Sequence, residues 1–166
     1  RMLPIEFAED VWVTRTEARL MDGSGTPLPG SLLCHSFLQD PIDSLSPTGR
    51  LGWAGAQAPL TFPEGTGVPL YAGQTYRWET MFQNPSDQAY PEVYLHVTLT
   101  VEPMSGLQPS RQELQQMCVY VGGNPERALF MAPTGRSIHQ TGVQLPLAGR
   151  MVLMFAHLHR YGQRLR

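Results

Sequence analysis

The amino-acid sequence predicts an all-β protein, an antiparallel β-sandwich or jelly roll of about seven to nine strands with at most one short helix. The first observation is composition. Its 15 Pro and 16 Gly among 166 residues exceed the roughly 12% usual for the two together, while a 42% hydrophobic fraction is too high for a disordered chain. The second is pattern, because short runs of β-branched and aromatic residues recur between turn residues. This arrangement is typical of two packed antiparallel sheets.

The first part of the chain contains two expected strands and a long connection. Residues 11–20 read VWVTRTEARL, which is rich in β-branched and aromatic side chains, and the run stops at the turn residues of 22–25. Residues 31–38 are apolar on both faces, which favours an interior strand. Pro, Gly, Ser and Thr dominate residues 40–70. Their composition predicts a long loop, a kind of segment that often carries function.

Two more strands are expected in the middle of the chain. Residues 74–83 alternate between large side chains on one face and polar ones on the other, and Met81 falls on the polar face with Glu79. Residues 93–101 carry Val or Leu at every second position, which predicts one face toward a core. The intervening Tyr, His and Thr side chains are expected to face outward.

The last third of the chain predicts a short helix and two further strands. Residues 109–117 resemble a capped helix, because Ser110 is followed three residues later by Glu113. Residues 117–121 and 151–159 are apolar runs bounded by turn residues and are interpreted as strands.

Length, charge and cysteine content limit the number of domains and the classes of partner that are expected. At 166 residues the chain is expected to form one domain, residues 1–166. A formal net charge of -2 without any basic run makes nucleic acid an unexpected partner, and no apolar segment reaches the roughly 20 residues that span a bilayer. Cys34 and Cys118 are the two cysteines, and either a disulfide or two buried thiols is compatible with their positions.

The strongest chemical signal is a His-x-His motif near the end of the chain. Successive side chains of a strand point to opposite faces, so His157 and His159 project from one face about 7 Å apart. Two imidazoles in this arrangement can bind one metal ion. The alternative is that both rings are hydrogen-bonded or half exposed at the end of a strand.

Three segments, taken in order, resemble the copper type II, ascorbate-dependent monooxygenases, the family of the peptidylglycine and dopamine hydroxylases and their bacterial relatives. Residues 33–36 read LCHS where the family commonly has a His-His pair. Residues 78–85 read WETMFQNP and resemble a family strand in which a histidine supplies a ligand. Leu-Pro at 145–146, followed by AHLHRYG at 156–162, is similar to the Pro-His-x-His-x-x-Gly of the family.

The resemblance implies a copper site whose ligands can be assigned one by one. His157 and His159 match the His-x-His ligands, and His35 matches the second member of the His-His pair. Met81 stands where the family has a histidine, and its thioether is a ligand that suits cuprous copper. An ordinary surface or packing role for Met81 is the alternative. Cys34 has parity opposite to His35, so the two should not reach one ion unless the strand contains a bulge.

The hydroxylases of this family use two copper centres on two consecutive domains, whereas this chain has one His cluster. The first hypothesis is therefore an exported bacterial copper-binding protein, periplasmic or extracellular. It would serve in copper handling, delivery or sensing, with a protein partner for copper transfer and no hydroxylase activity of its own. Zinc is the alternative metal. The second hypothesis is a metal-free interaction module or one domain of a larger copper-dependent monooxygenase.

Overall fold

A computed structural model describes residues 4–39, 51–54, 59–105, 111–114, 134–138, 140, 142, 144 and 148–154. The chain divides into two compact units, residues 1–116 and residues 117–166. The first unit contains every strand that the structure describes, and the described residues of the second unit have no regular secondary structure. A single domain over 1–166 stays a prediction.

The first unit is built from nine described strands and one short 3-10 helix, Gly30–Leu32. The strands are β1 (Pro4–Ile5), β2 (Val11–Met21), β3 (Leu33–Gln39), β4 (Leu51–Ala54), β5 (Leu60–Thr61), β6 (Thr66–Leu70), β7 (Tyr76–Phe82), β8 (Tyr94–Pro103) and β9 (Gln112–Glu113). The prediction of an all-β sandwich is confirmed. No helix in the described part of the chain is long and apolar enough to cross a membrane.

The strands form two sheets. The four-stranded sheet has the order β1-β7-β3-β4, and all of its pairs are antiparallel. In the five-stranded sheet, β2 pairs with β8 over almost its whole length and with β6 and β5 through shorter segments. β9 runs parallel to β6. The predicted strands over 11–20, 31–38, 74–83 and 93–101 correspond to β2, β3, β7 and β8.

The core lies between the two sheets and takes side chains from both. Its fully or nearly buried members are Val11, Val13, Ala18, Leu38, Leu51, Val68, Leu70 and Tyr76. A second cluster of Leu20, Leu32 and Leu33 packs beside the 3-10 helix. At about 25 cal/mol for each Å² of apolar surface removed from water, this burial is the main stabilising contribution to the unit.

The interpretation of residues 40–70 as a long loop is wrong over the three strands β4, β5 and β6. Residues 40–50 and 55–58 lie outside the described residues. Tertiary pairing overrides local composition here, because β6 pairs with β2 even though Pro69 stands opposite Trp12. Four of the five residues of β6 are buried, so their apolar contacts offset a weak intrinsic preference for strand.

The predicted helix over 109–117 is wrong where the structure describes it, because Gln112–Glu113 form β9. The backbone amides of Gln112 and Leu114 donate to the carbonyl oxygens of Gly65 and Gly67, each at 2.8 Å. Arg111 also forms an ion pair with Glu102 and donates from Nη1 to the Thr66 carbonyl oxygen at 3.2 Å. These long-range bonds outweigh a local capping signal, whose usual contribution is about 1 kcal/mol.

The structure differs from the sequence prediction in parts of two other expected strands. Leu95, Val97 and Leu99 are half-buried as predicted, but Val101 is 41% exposed at the far end of β8. The predicted strand over 151–159 is wrong over 151–154, which have no regular secondary structure. The remainder of that strand and the predicted strand over 117–121 lie outside the described residues.

Candidate metal-binding face

Two of the four predicted ligands, His35 and Met81, are direct cross-strand partners on β3 and β7. Side chains at paired positions of an antiparallel sheet share a face, and their Cβ atoms are about 4.5–5.5 Å apart. The structure therefore brings one imidazole and one thioether to neighbouring positions on the four-stranded sheet. They are 46 positions apart in the numbering of the chain, so local sequence pattern alone did not establish this pairing.

A β-bulge at Cys34 interrupts the β3–β7 ladder next to this pair. Leu33 pairs with Phe82, but the next pair is His35 with Met81, so Cys34 is an extra residue in β3. If the ladder from His35 to Gln39 continued unbroken, Phe82 would stand opposite Cys34. The sequence predicted that Cys34 and His35 could not reach one ion unless the strand contained a bulge, and the pairing contains one at this point.

His35 and Met81 belong to the outward face of the four-stranded sheet. The alternate β3 residues Ser36 and Leu38 are 0% and 1% exposed and point toward the core side. We define the ligand face as His35, Phe37, Gln39, Glu79 and Met81, which lie at paired or diagonal positions on β3 and β7. Met81 is 48% exposed, whereas His35 and Phe37 are half-buried.

The half-buried His35 ring packs against an aromatic neighbour. The ring centroids of His35 and Phe37 are 5.1 Å apart, and the ring planes are inclined by 40°. This contact restricts the orientations of the imidazole, because Phe37 occupies the next position on the same face of β3. An imidazole restricted in this way loses less conformational freedom when it binds a metal ion.

A carboxylate on the same face is held by a buried amide. Gln39 is 7% exposed, and its Nε2 donates to Oε2 of Glu79 at 3.0 Å. Glu79 itself is exposed and pairs across the strands with Phe37. The sequence placed Glu79 on the face of Met81 by alternation but did not nominate it as a ligand.

On the core side of the sheet, a small network of side-chain hydrogen bonds joins β7 to β3. Trp78 donates from Nε1 to the Ser36 hydroxyl at 2.7 Å, and that hydroxyl lies 2.9 Å from Oγ1 of Thr80. Ser36 also donates to the carbonyl oxygen of Glu79 at 3.2 Å. A buried polar group needs such partners, so the network favours the register that pairs His35 with Met81.

The remaining predicted ligands, His157 and His159, lie outside the described residues, as does Cys118. Cys34 is 2% exposed, and burial raises the pKa of its thiol. Within the described residues, no group of three or more His, Cys, Asp or Glu side chains is placed to hold a metal ion. The ligand face thus supplies one imidazole, one thioether and one carboxylate.

Fold and face together define the described part of the chain as an all-β sandwich with a His–Met pair on one sheet face. Comparisons with protein-family models, curated proteins and solved structures found no match for the chain. The resemblance to the copper monooxygenases accordingly depends on the sequence motifs.

Proposed function

We propose that this protein binds one copper ion through His35, His157 and His159, with Met81 as an additional ligand. The observation that supports the proposal is the cross-strand pairing of His35 with Met81 on an outward sheet face. The register therefore favours a mixed imidazole and thioether donor set.

The chemistry of this donor set fits copper better than zinc. Thioethers are soft ligands that select cuprous copper, whereas imidazole alone suits both copper and zinc. Met81 is therefore the side chain that distinguishes the two metals. A site formed only by the three histidines would suit zinc, which is the alternative metal.

The proposed role is copper handling, delivery or sensing by an exported protein. Two features support holding copper more than oxidising a substrate with it. The chain has one His cluster, whereas the hydroxylases that it resembles need two copper centres. In addition, Met81 is 48% exposed, so a partner protein can approach this ligand during copper transfer.

The test is a set of metal titrations on the whole chain. Cuprous copper is titrated anaerobically against a chromophoric chelator, and cupric copper and zinc are titrated separately. The variants are H35A, M81L and the double variant H157A/H159A. The matched control is H96A, because His96 is an exposed histidine of β8 in the five-stranded sheet.

The expected result is one cuprous ion per chain, with binding lost in H35A and in H157A/H159A. M81L should lower the cuprous affinity on the order of tenfold, or about 1.4 kcal/mol, and leave the zinc affinity unchanged. H96A should behave as the wild type. Unchanged stoichiometry in H157A/H159A contradicts the copper proposal. Absence of any metal binding by the folded wild type favours a metal-free interaction module.

A further inference from the structure

One edge of β8 has no partner strand among the residues that the structure describes. β8 pairs with β2 over Tyr94–Pro103, and no other described strand pairs with it. At ten residues it is a long edge strand, whereas β5 and β9 of the same sheet have two residues each. A long edge strand presents a row of backbone donors and acceptors with which another chain can pair.

β8 lacks the features by which proteins usually protect such an edge. Residues 93–101 read VYLHVTLTV and contain no Lys, Arg, Asp, Glu, Pro or Gly. The irregularity in the β2–β8 ladder lies in β2, between Val13 and Arg15, so β8 itself has no bulge. Charges, prolines and bulges are the common obstacles to pairing at an edge. Their absence over nine residues leaves this edge open to pairing.

The core-facing side chains of β8 are incompletely covered. Val101 is 41% exposed, whereas Val13, its partner on β2, is 0% exposed. The same contrast holds along the strand, because half-buried β8 residues stand opposite β2 residues that are 1–2% exposed, in the pairs Leu99–Thr16, Val97–Ala18 and Leu95–Leu20. A strand placed beside β8 would remove more of this apolar surface from water, which is favourable.

The backbone groups of these core-facing residues are directed to the open edge. The Met104 amide donates to the Asp10 carbonyl oxygen at 2.9 Å, which directs the backbone of Met104 toward β2. Backbone groups of successive strand residues point alternately to the two sides of the strand. The even-numbered residues of β8 therefore bond to β2. The odd-numbered ones present their N–H and C=O groups to the open edge.

The pattern of β8 is symmetric about Val97. The core-facing residues at 93, 95, 97, 99 and 101 read Val-Leu-Val-Leu-Val, which is the same in both directions. In an antiparallel pair of two copies about a two-fold axis at Val97, this residue stands opposite itself and Leu95 stands opposite Leu99 of the second copy. Direct partners share a face, so apolar side chains meet apolar ones. The five odd-numbered residues can exchange about ten hydrogen bonds, two for each bonded pair.

We infer that the open edge of β8 is a homodimer interface, in which two copies join their five-stranded sheets by antiparallel β8–β8 pairing centred on Val97. The inference is independent of copper binding. One strand from each copy forms a small interface, in the range below about 1,200 Å² that is typical of weak complexes. A dissociation constant in the micromolar range is expected. Beyond the strand, Glu92 approaches Glu102 of the second copy, whose ion pair with Arg111 offsets the like-charge repulsion.

The first test is sedimentation velocity of the whole chain in a metal chelator, from about 1 µM to about 300 µM. V97P removes a donor of the open edge, a position that tolerates proline in edge strands. T98K places a lysine opposite Glu17 within each copy, but brings the two new charges to diagonal positions across the dimer. A89K is the matched control, because it adds the same charge at an exposed residue between β7 and β8.

The wild type and A89K should dimerise alike, T98K should weaken dimerisation on the order of tenfold, and V97P should abolish it. Circular dichroism and urea midpoints establish that each variant is folded, and T98K keeps the test valid if V97P does not fold. A wild type that stays monomeric at every concentration overturns the inference, whether another segment, another protein or only water covers this edge. Dimerisation that neither V97P nor T98K weakens overturns it as well.

The second test measures the register with V97C and V101C, each in a C118S background. Cys34 is 2% exposed and is not expected to react. The two-fold axis brings the two copies of position 97 to about 5.5 Å between Cα atoms, within the range of a disulfide. It leaves the two copies of position 101 roughly 27 Å apart along the strands. Oxidised glutathione should cross-link V97C and leave V101C monomeric on a non-reducing gel. Cross-linking of V101C in place of V97C would refute the register.

Discussion

Val13 and Val101 provide a matched test of how burial stabilises this sandwich. The two valines are direct cross-strand partners on β2 and β8, but Val13 is 0% exposed and Val101 is 41% exposed. Valine to alanine removes the equivalent of two methylenes, worth about 1.6 kcal/mol of transfer free energy at a fully buried position. A rigid core adds a cavity contribution, so V13A should lower the free energy of unfolding by about 2–3 kcal/mol.

V101A should cost about 1 kcal/mol or less, because its side chain is already partly in water and solvent fills the space that it vacates. Both substitutions are made in one ladder of strands, so the change in strand propensity affects each of them. Urea denaturation followed by tryptophan fluorescence measures the difference, provided that the m-values agree. Equal losses within about 0.5 kcal/mol, or a larger loss in V101A, would refute the reasoning.

Three further predictions follow from the chemistry of single groups. Copper affinity should fall as the pH drops below about 6, since imidazole binds metal in its neutral form. Burial raises the pKa of the Cys34 thiol, so C118S protein should react slowly with a thiol reagent at pH 8 when folded and rapidly in urea. Hydrogen bonds from the Ser24 hydroxyl and the Thr26 amide lower the pKa of Asp22 in the folded protein. Its contribution to stability is therefore present above about pH 4 and lost as the pH falls through the folded pKa. D22N should remove that part of the pH dependence, as measured by urea midpoints between pH 6 and pH 3.

Each of these predictions has a contradicting result. Copper affinity that stays constant from pH 7 to pH 5 would exclude imidazole ligands. Rapid labelling of Cys34 in folded C118S protein would show that the thiol is accessible. A D22N variant whose urea midpoint falls as steeply with acid as the wild type would show that Asp22 does not carry the effect.

The strands that were predicted correctly are those whose pattern is local. β2 and β7 have alternating or β-branched side chains that bury one face, and such a pattern is visible within ten residues. β6 and β9 were missed because their stability comes from partners distant in sequence. β9 exists through bonds to Gly65 and Gly67, which a local capping signal around Ser110 and Glu113 does not reveal.

The candidate site, like the fold, was predictable from the sequence only in part. The resemblance to the copper monooxygenases indicated His35 and Met81 as ligands, and alternation placed Glu79 on the face of Met81. Their juxtaposition depends on the β3–β7 register, in which His35 pairs with Met81. A shift of one residue exchanges the faces of a whole strand, so no statement about ligand proximity follows from parity alone.

The sequence by itself determined the all-β class of this protein, because composition and alternation are properties of short segments. Only the tertiary structure decided that Met81 faces His35 and that Gln39 orients Glu79. Those relations depend on which backbone groups pair across 40 or more residues. Long-range pairing is selected by burial and hydrogen bonding in the assembled sandwich, which no local pattern contains.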